Sequence, residues 1–242
     1  MLEQELDYER NAFLLLNGGH SLFENQFYWL FSGKIFWLPL AIVFLAVLFY
    51  KHRDNWKEPL LILLAIVVVV TISDQFASSL CKPLFSRFRP THHPDFMNYV
   101  QTVFNYRGGR YGFISSHAAN AFGFATLTAL IFRYNVYTLA IFLWATINSY
   151  SRIYLGVHFI SDVVAGMLAG AVFGWVVYRI YIFMYKKWIN RHLPSVREGN
   201  FNAPYPKKRL NIVIYTLVFS IIVILIVSSL YSNGYIQSVT IK

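Results

Sequence analysis

Three short stretches of this chain set anion-binding and proton-transferring side chains at regular spacings. The first, Lys82-Pro-Leu-Phe-Ser-Arg-Phe-Arg89-Pro90, follows directly on an apolar run. A Lys and an Arg together can neutralise a phosphate, the Lys as a point charge and the Arg through its bidentate fork. Taken alone, the stretch reads better as a positively charged helix end at the level of lipid headgroups. The second, Tyr111-Gly-Phe-Ile-Ser115-Ser116-His117, opens another apolar run. Either serine suits a helix N-cap. Free amides at a helix N-terminus also attract an anion, and His117 stands where it can hand over a proton. The third, Ser151-Arg152-Ile-Tyr-Leu-Gly-Val-His158-Phe-Ile-Ser-Asp162, holds a His and an Asp four residues apart. At that spacing two side chains share one helix face, and the Asp can keep one imidazole nitrogen protonated while the other attacks. A carboxylate entering an apolar run is costly without a partner. Asp74, near the end of an earlier run, has the same need, for a neighbouring Lys or another polar side chain. Gly108, Gly109 and Gly112 suit a turning loop.

The elements that must position these residues are legible in the composition. Of 242 residues 57% are hydrophobic, 19% aromatic and only 13% charged. Globular chains carry about a quarter charged residues, so too little charge is present here to cover a water-facing surface. A soluble enzyme, a disordered tail and a disulfide scaffold are excluded, and the single Cys81 supplies neither an internal disulfide nor a cysteine-based metal site. Apolar runs at Ile35–Tyr50, Pro59–Leu80, Phe113–Phe132, Val136–Tyr150, Phe159–Tyr185 and Leu210–Tyr231 predict an all-α, polytopic membrane bundle of about six transmembrane helices. The first and fourth runs are the shortest. Ahead of them, residues 7–31 mix apolar and polar side chains, with Phe13, Leu14, Leu16 and Leu22 suggesting one helix lying in the interface. The whole of residues 1–242 reads as one membrane-embedded domain with a motif core at 82–162 and a further helix at 210–231. The N-terminus is acidic where a cleavable signal would be basic.

Lys and Arg orient the bundle. The net charge is +10, and Lys51, Arg53, Lys57, Arg133 and the basic residues of Lys186–Arg209 mark cytoplasmic connections. Both termini, the Lys82–Gly112 loop and the Arg152–His158 turn then lie on the outer side. All three stretches converge on that side. Lys82, Arg87, Arg89, Arg107 and Arg110 are basic on the wrong side for lipid charge alone, which points to an anionic substrate. Nucleic acid is a poor partner, because the basic residues do not gather on a polar domain.

The three stretches resemble the type-2 phosphatidic acid phosphatase superfamily, which also holds the vanadium haloperoxidases. Its pattern is Lys-x6-Arg-Pro, then Pro-Ser-Gly-His, then Ser-Arg-x5-His-x3-Asp. Lys82, Arg89 and Pro90 match the first element and Ser151, Arg152, His158 and Asp162 the third. In the middle element Ser115 and His117 agree, whereas Ile114 replaces Pro and Ser116 replaces Gly. The resemblance implies that His158 is the nucleophile and becomes a phosphohistidine, that Asp162 orients it, and that His117 acts as general acid and base. It implies that Lys82, Arg89, Ser115, Arg152 and the Ser116 amide bind the phosphoryl oxygens, with no metal and no cofactor. His92-His93-Pro-Asp95 reads as an exposed loop rather than a metal site.

A site at the outer boundary suits a lipid whose phosphate lies there. Undecaprenyl diphosphate and lipid A lead, followed by phosphatidylglycerol phosphate and phosphatidic acid, in the inner membrane of a bacterium. Phe85, Phe88, Phe96, Phe104 and Tyr106 read as an interfacial aromatic belt in preference to a lipid gateway. A vanadate-dependent oxidoreductase is disfavoured by the apolar spans. A non-catalytic binder would have no use for a paired His and Asp, and a transporter would set its charge at mid-bilayer.

Overall fold

In a computed structural model the described residues are 2–50, 56–189 and 205–237, and side chains are described from residue 7 onward. Nine α-helices are described: α1 (Leu2–Asn17), α2 (Leu22–Ser32), α3 (Leu38–Phe49), α4 (Lys57–Gln75), α5 (Lys82–Phe85), α6 (Ser116–Phe132), α7 (Asn135–Tyr154), α8 (Ile160–Trp188) and α9 (Lys207–Ser232). A π-helical stretch, Phe76–Cys81, joins α4 to α5 without ending the rod. Among the described residues there is no strand, only one isolated bridge between Phe88 and Tyr111.

Three stretches are long and apolar enough to cross a membrane: Lys57–Phe85, Ile160–Trp188 and Lys207–Ser232. A fourth arises if α2 and the Ile35–Phe49 stretch, bent by 66° at their break, count as one span. The six expected spans are therefore six helices, of which α6 and α7 fall outside that measure. The reason is their position. α6 packs against α4, α7 and α8 at the centre of the bundle, and α7 carries Asn148, Ser149, Ser151 and Arg152 toward the interior. Its 17 residues give α6 a length of about 25 Å, short of a full hydrocarbon core. On the outer helices Leu64, Leu168, Val172, Phe219 and Ile226 are exposed, an apolar face that suits lipid.

The expected single N-terminal helix is two. Ser21 accepts a hydrogen bond from the Glu24 amide and donates to its carboxylate, a side-chain N-cap that starts α2 afresh. Phe13 of α1 is fully buried against the edges of Phe96 and Phe159. Asn17, also buried, donates to the carbonyls of Gln101, Ile153 and Tyr154. α1 thus clamps the segments that carry the motifs. Of the basic residues that set the orientation, Lys51, Arg53, Arg191 and Arg197 lie outside the described residues. Lys186 and Lys187 end α8 and Lys207, Lys208 and Arg209 begin α9, at the end of the bundle opposite the start of α8.

Candidate active site

Helix packing determines what the site can contain. Gly166, Gly170 and Gly174 form a stripe on α8, where an added Cβ would stand 2.6 Å from the Ser115 carbonyl, 2.2 Å from that of Ala119 and 2.7 Å from that of Gly123. With no side chain between them, α6 and α8 meet backbone to backbone, as small residues permit in membranes. That contact brings the start of α6 against the start of α8, and the Ser115 amide donates to the Asp162 carbonyl. The loop carrying Arg89 is pinned to the one ahead of α6. The Arg89 amide donates to the Arg110 carbonyl, the Gly112 amide to that of Arg87, and Arg89 Nε to the Tyr111 carbonyl at 3.1 Å.

One cavity of about 600 Å³ results. Lys82, Arg89, Ser116, His117, Arg152 and His158 line its polar end, with Asp74, Tyr106 and Lys34 beside them. Of the sequence-assigned residues, Ser115 and Asp162 stand behind the wall. Ser115 is fully buried and its hydroxyl accepts from the Ala118 amide, so it caps the N-terminus of α6. Ser116 does more than its backbone role required. Its hydroxyl accepts from Lys82 Nζ at 2.9 Å and bonds Ser78 on the π-helical stretch at 3.1 Å. Ser78 carried no signal in the sequence, because a wider helical turn is needed to aim it here.

The cations are deeply placed. Arg89 is 8% exposed and Arg152 3%. Arg152 donates to the hydroxyls of Ser32 and Tyr106, and its Nε has no hydrogen-bond partner among the described residues. Burial, and next the charge of Arg152, push Arg89 down to about 10, so it remains charged at neutral pH. Among the described residues Lys82, Arg89 and Arg152 make no ion pair with a carboxylate. Buried charge is normally paired, and three cations facing one cavity, whose single lining carboxylate among the described residues, Asp74, makes no ion pair with them, leave a place for an anion.

His158 sits in the turn ahead of α8, two residues before Ile160, and so off the helix face the spacing suggested. It is 2% exposed, and its Nδ1 lies 3.4 Å from Asp162 Oδ2. That separation is within ion-pair reach, but the geometry does not make a hydrogen bond, and Nδ1 has no other side-chain partner among the described residues. Asp162 is instead held by the Phe159 amide at 3.0 Å on Oδ2 and by Arg87 Nη1 at 2.8 Å on Oδ1. Burial first, then Arg89, Arg152 and Lys82, keep the His158 imidazole well below its usual range and therefore neutral. Arg87 was read only as one more outer-loop cation.

The remaining outer-loop residues sort plainly. Of the aromatic set only Tyr106 lines the cavity; Phe96 is buried against α1 and Phe85 is exposed. Arg110 stacks over Phe88 and Tyr111. His93 bonds Arg10 and accepts from the Asp95 amide. Among the described residues no three His, Cys, Asp or Glu are grouped as metal ligands.

Residues 63–186 match the PAP2 superfamily. The chain is 45% identical to a lipid A 4′-phosphatase of Porphyromonas gingivalis over 80% of its own length and 81% of the relative's. It is 38% identical to a lipid A 4′-phosphatase of Bacteroides thetaiotaomicron, over 74% and 80% of the two chains. A crystal structure of a transmembrane PAP2-type phosphatidylglycerolphosphate phosphatase from Bacillus subtilis shares the fold at a TM-score of 0.53, with 20% identity, 76% of this chain and 87% of that one covered. Fold and relatives define a multi-pass membrane lipid phosphatase, a phosphoric monoester hydrolase. The chain belongs to the PAP2 superfamily.

Proposed function

We propose that this chain removes the 4′-phosphate of a lipid A-type glycolipid through a phosphohistidine at His158. The observation that carries the reading is the set of three buried or half-buried cations, Lys82, Arg89 and Arg152, lining one cavity with His158 and ion-paired to no carboxylate among the described residues. Phosphoryl transfer depends mainly on positioning and on fixed charge that meets the developing negative charge. Here those cations and the amide end of α6 at Ser116 hold the phosphoryl oxygens, with Ser115 fixing that end. His158 Nε2, the nitrogen turned away from Asp162, attacks phosphorus. The bond to the lipid oxygen breaks, and His117 protonates the leaving alkoxide. A phosphate dianion beside His117 favours the protonated form this step needs. Water, deprotonated by His117, then attacks; the P–N bond breaks and inorganic phosphate leaves with His158 neutral again.

The two relatives that match about four-fifths of their own length support lipid A among the lipids with an interfacial phosphate. The basic ends of α8 and α9, opposite the site, support an inner-membrane location with the cavity opening to the periplasm. The test is purified protein in detergent offered lipid A, undecaprenyl diphosphate, phosphatidylglycerol phosphate and phosphatidic acid, with released phosphate and product mass measured. Fastest release from lipid A, at the 4′ position and unchanged by EDTA, is expected. Preference for another lipid of the panel would overturn the substrate, and full turnover by His158→Ala the nucleophile.

A further inference from the structure

We propose that Arg87 and Glu9 are positioning residues for the His158 nucleophile, acting through Asp162 and tying the N-terminal helix α1 to the phosphoryl-transfer step. The inference rests on the assignment of His158 and Asp162 above and extends it to two residues outside the three motifs. Asp162 is 0% exposed, and a carboxylate so placed needs a charged partner. A neutral His158 at 3.4 Å does not supply one. Arg87 does, donating through Nη1 to Asp162 Oδ1 at 2.8 Å and lying 4.7 Å over the Phe159 ring. With Oδ1 so occupied, Oδ2 is the oxygen left to face His158 Nδ1, and the Phe159 amide fixes it from the other side.

Glu9 holds the guanidinium in turn. Its Oε2 accepts from Arg87 Nη2, and its Oε1 accepts the Ser161 amide at 2.9 Å, in the first turn of α8. Arg87 Nη1 also meets the Ser161 hydroxyl. One carboxylate from α1 thus fixes both the arginine and the helix end that carries Asp162. The partition matters because the imidazole gains a positive charge as its Nε2 bonds to phosphorus. Asp162 must then give charge to Nδ1–H that it shares with Arg87 in the resting site. The strength of the Arg87 pairing therefore sets how much of the carboxylate reaches the imidazole. The titratable and charged groups around this unit are Glu9 from α1, Lys82 from α5, Arg87 and Arg89 from the following loop, His117 from α6 and Arg152 from α7.

The test uses the full-length protein in detergent and the lipid of the panel that the wild type hydrolyses fastest. Arg87→Met is expected to lower kcat about 10- to 100-fold, the worth of one charge-assisted hydrogen bond to a buried group, with KM little changed. Loss of the guanidinium leaves Asp162 facing His158 alone and makes the imidazole easier to protonate. The acid limb of the pH profile then moves to higher pH. Arg87→Lys, which keeps the charge, should restore part of both. Glu9→Gln should lower kcat less, and its effect should vanish on the Arg87→Met background, because the two act through one contact. Wild-type kcat and pH profile in Arg87→Met, or a Glu9→Gln loss that persists undiminished in the double variant, overturns the proposal. If Arg87→Met does not yield folded protein, Arg87→Lys and Glu9→Gln decide alone: an unmoved acid limb in both overturns it. Full turnover by His158→Ala would instead remove the nucleophile assignment beneath it, an outcome the Arg87 and Glu9 variants do not mimic.

Discussion

At Gly112 the space for a side chain is already taken: an added Cβ would stand 2.7 Å from Asp162 Oδ2 and 3.2 Å from Arg89 Cγ. Gly108, at φ +67, leaves the same kind of room for the Arg89 guanidinium, 2.4 Å from where its Cβ would be. Both glycines read in the sequence only as turn residues, since what crowds them arrives from distant segments. Gly112→Ala should displace the carboxylate behind His158 and lower kcat about 100-fold, the cost of a misplacement near 1 Å, as phosphate-release kinetics would measure. The depressed titration of His158 has a signed consequence. A nucleophile that stays neutral below its ordinary value of 6.5 keeps working as pH falls through that value, so the acid limb of kcat/KM should lie below pH 6.5. A limb centred above pH 7 would contradict it. Arg152→Ala removes a buried cation aimed into the cavity and should cost about 10²–10³ in kcat, as loss of one oxyanion donor does.

Among the elements, the contact of α6 with α8 governs the rest. Apolar periodicity announced both helices, but not the stripe of Gly166, Gly170 and Gly174 that lets them touch. A glycine in an apolar run has no facing partner in the sequence, so its purpose emerges only when the second helix is in place. Gly170→Val would drive two methyl groups toward the Ala119 carbonyl and force the helices apart. A loss of about 1–3 kcal/mol is expected, read as a lower thermal unfolding midpoint in detergent. The same logic explains Ser115, whose capping hydroxyl secures the α6 terminus while Ser116 and Ser78 meet Lys82. The N-terminal segment, expected as one helix, is two, and amphipathicity reports an apolar face without saying what covers it; Phe96 and Phe159 cover Phe13.

Across the whole molecule the polar site continues into an apolar slot. The cavity runs from His158 and Arg152 past Trp37, Ala41 and Phe44 on the α3 side and Ile66 and Val70 on α4 toward Val213 of α9. Such a shape joins a headgroup site to room for a hydrocarbon chain. Ala41→Trp should narrow the slot and lower kcat/KM for a long-chain lipid about tenfold or more, by excluding buried methylenes. A short-chain phosphate measured alongside should be hydrolysed as by the wild type.

Low charge, apolar period and motif spacing are local properties of a chain, so the membrane environment, the order of helices and the candidate site residues could be read from them. Lys82, Arg89, His117, Arg152, His158 and Asp162 were all legible at that level. Three-dimensional packing was needed to show that the buried cations make no ion pair among the described residues, that Ser115 caps while Ser116 lines, and that Asp162 is held by Arg87, itself bonded to Glu9, as well as facing His158. Those are relations between segments far apart in the chain, brought together by close packing of α6 on α8 and of α1 over the outer loop. A pairwise distance of that kind leaves no trace in the spacing of residues along one strand of sequence.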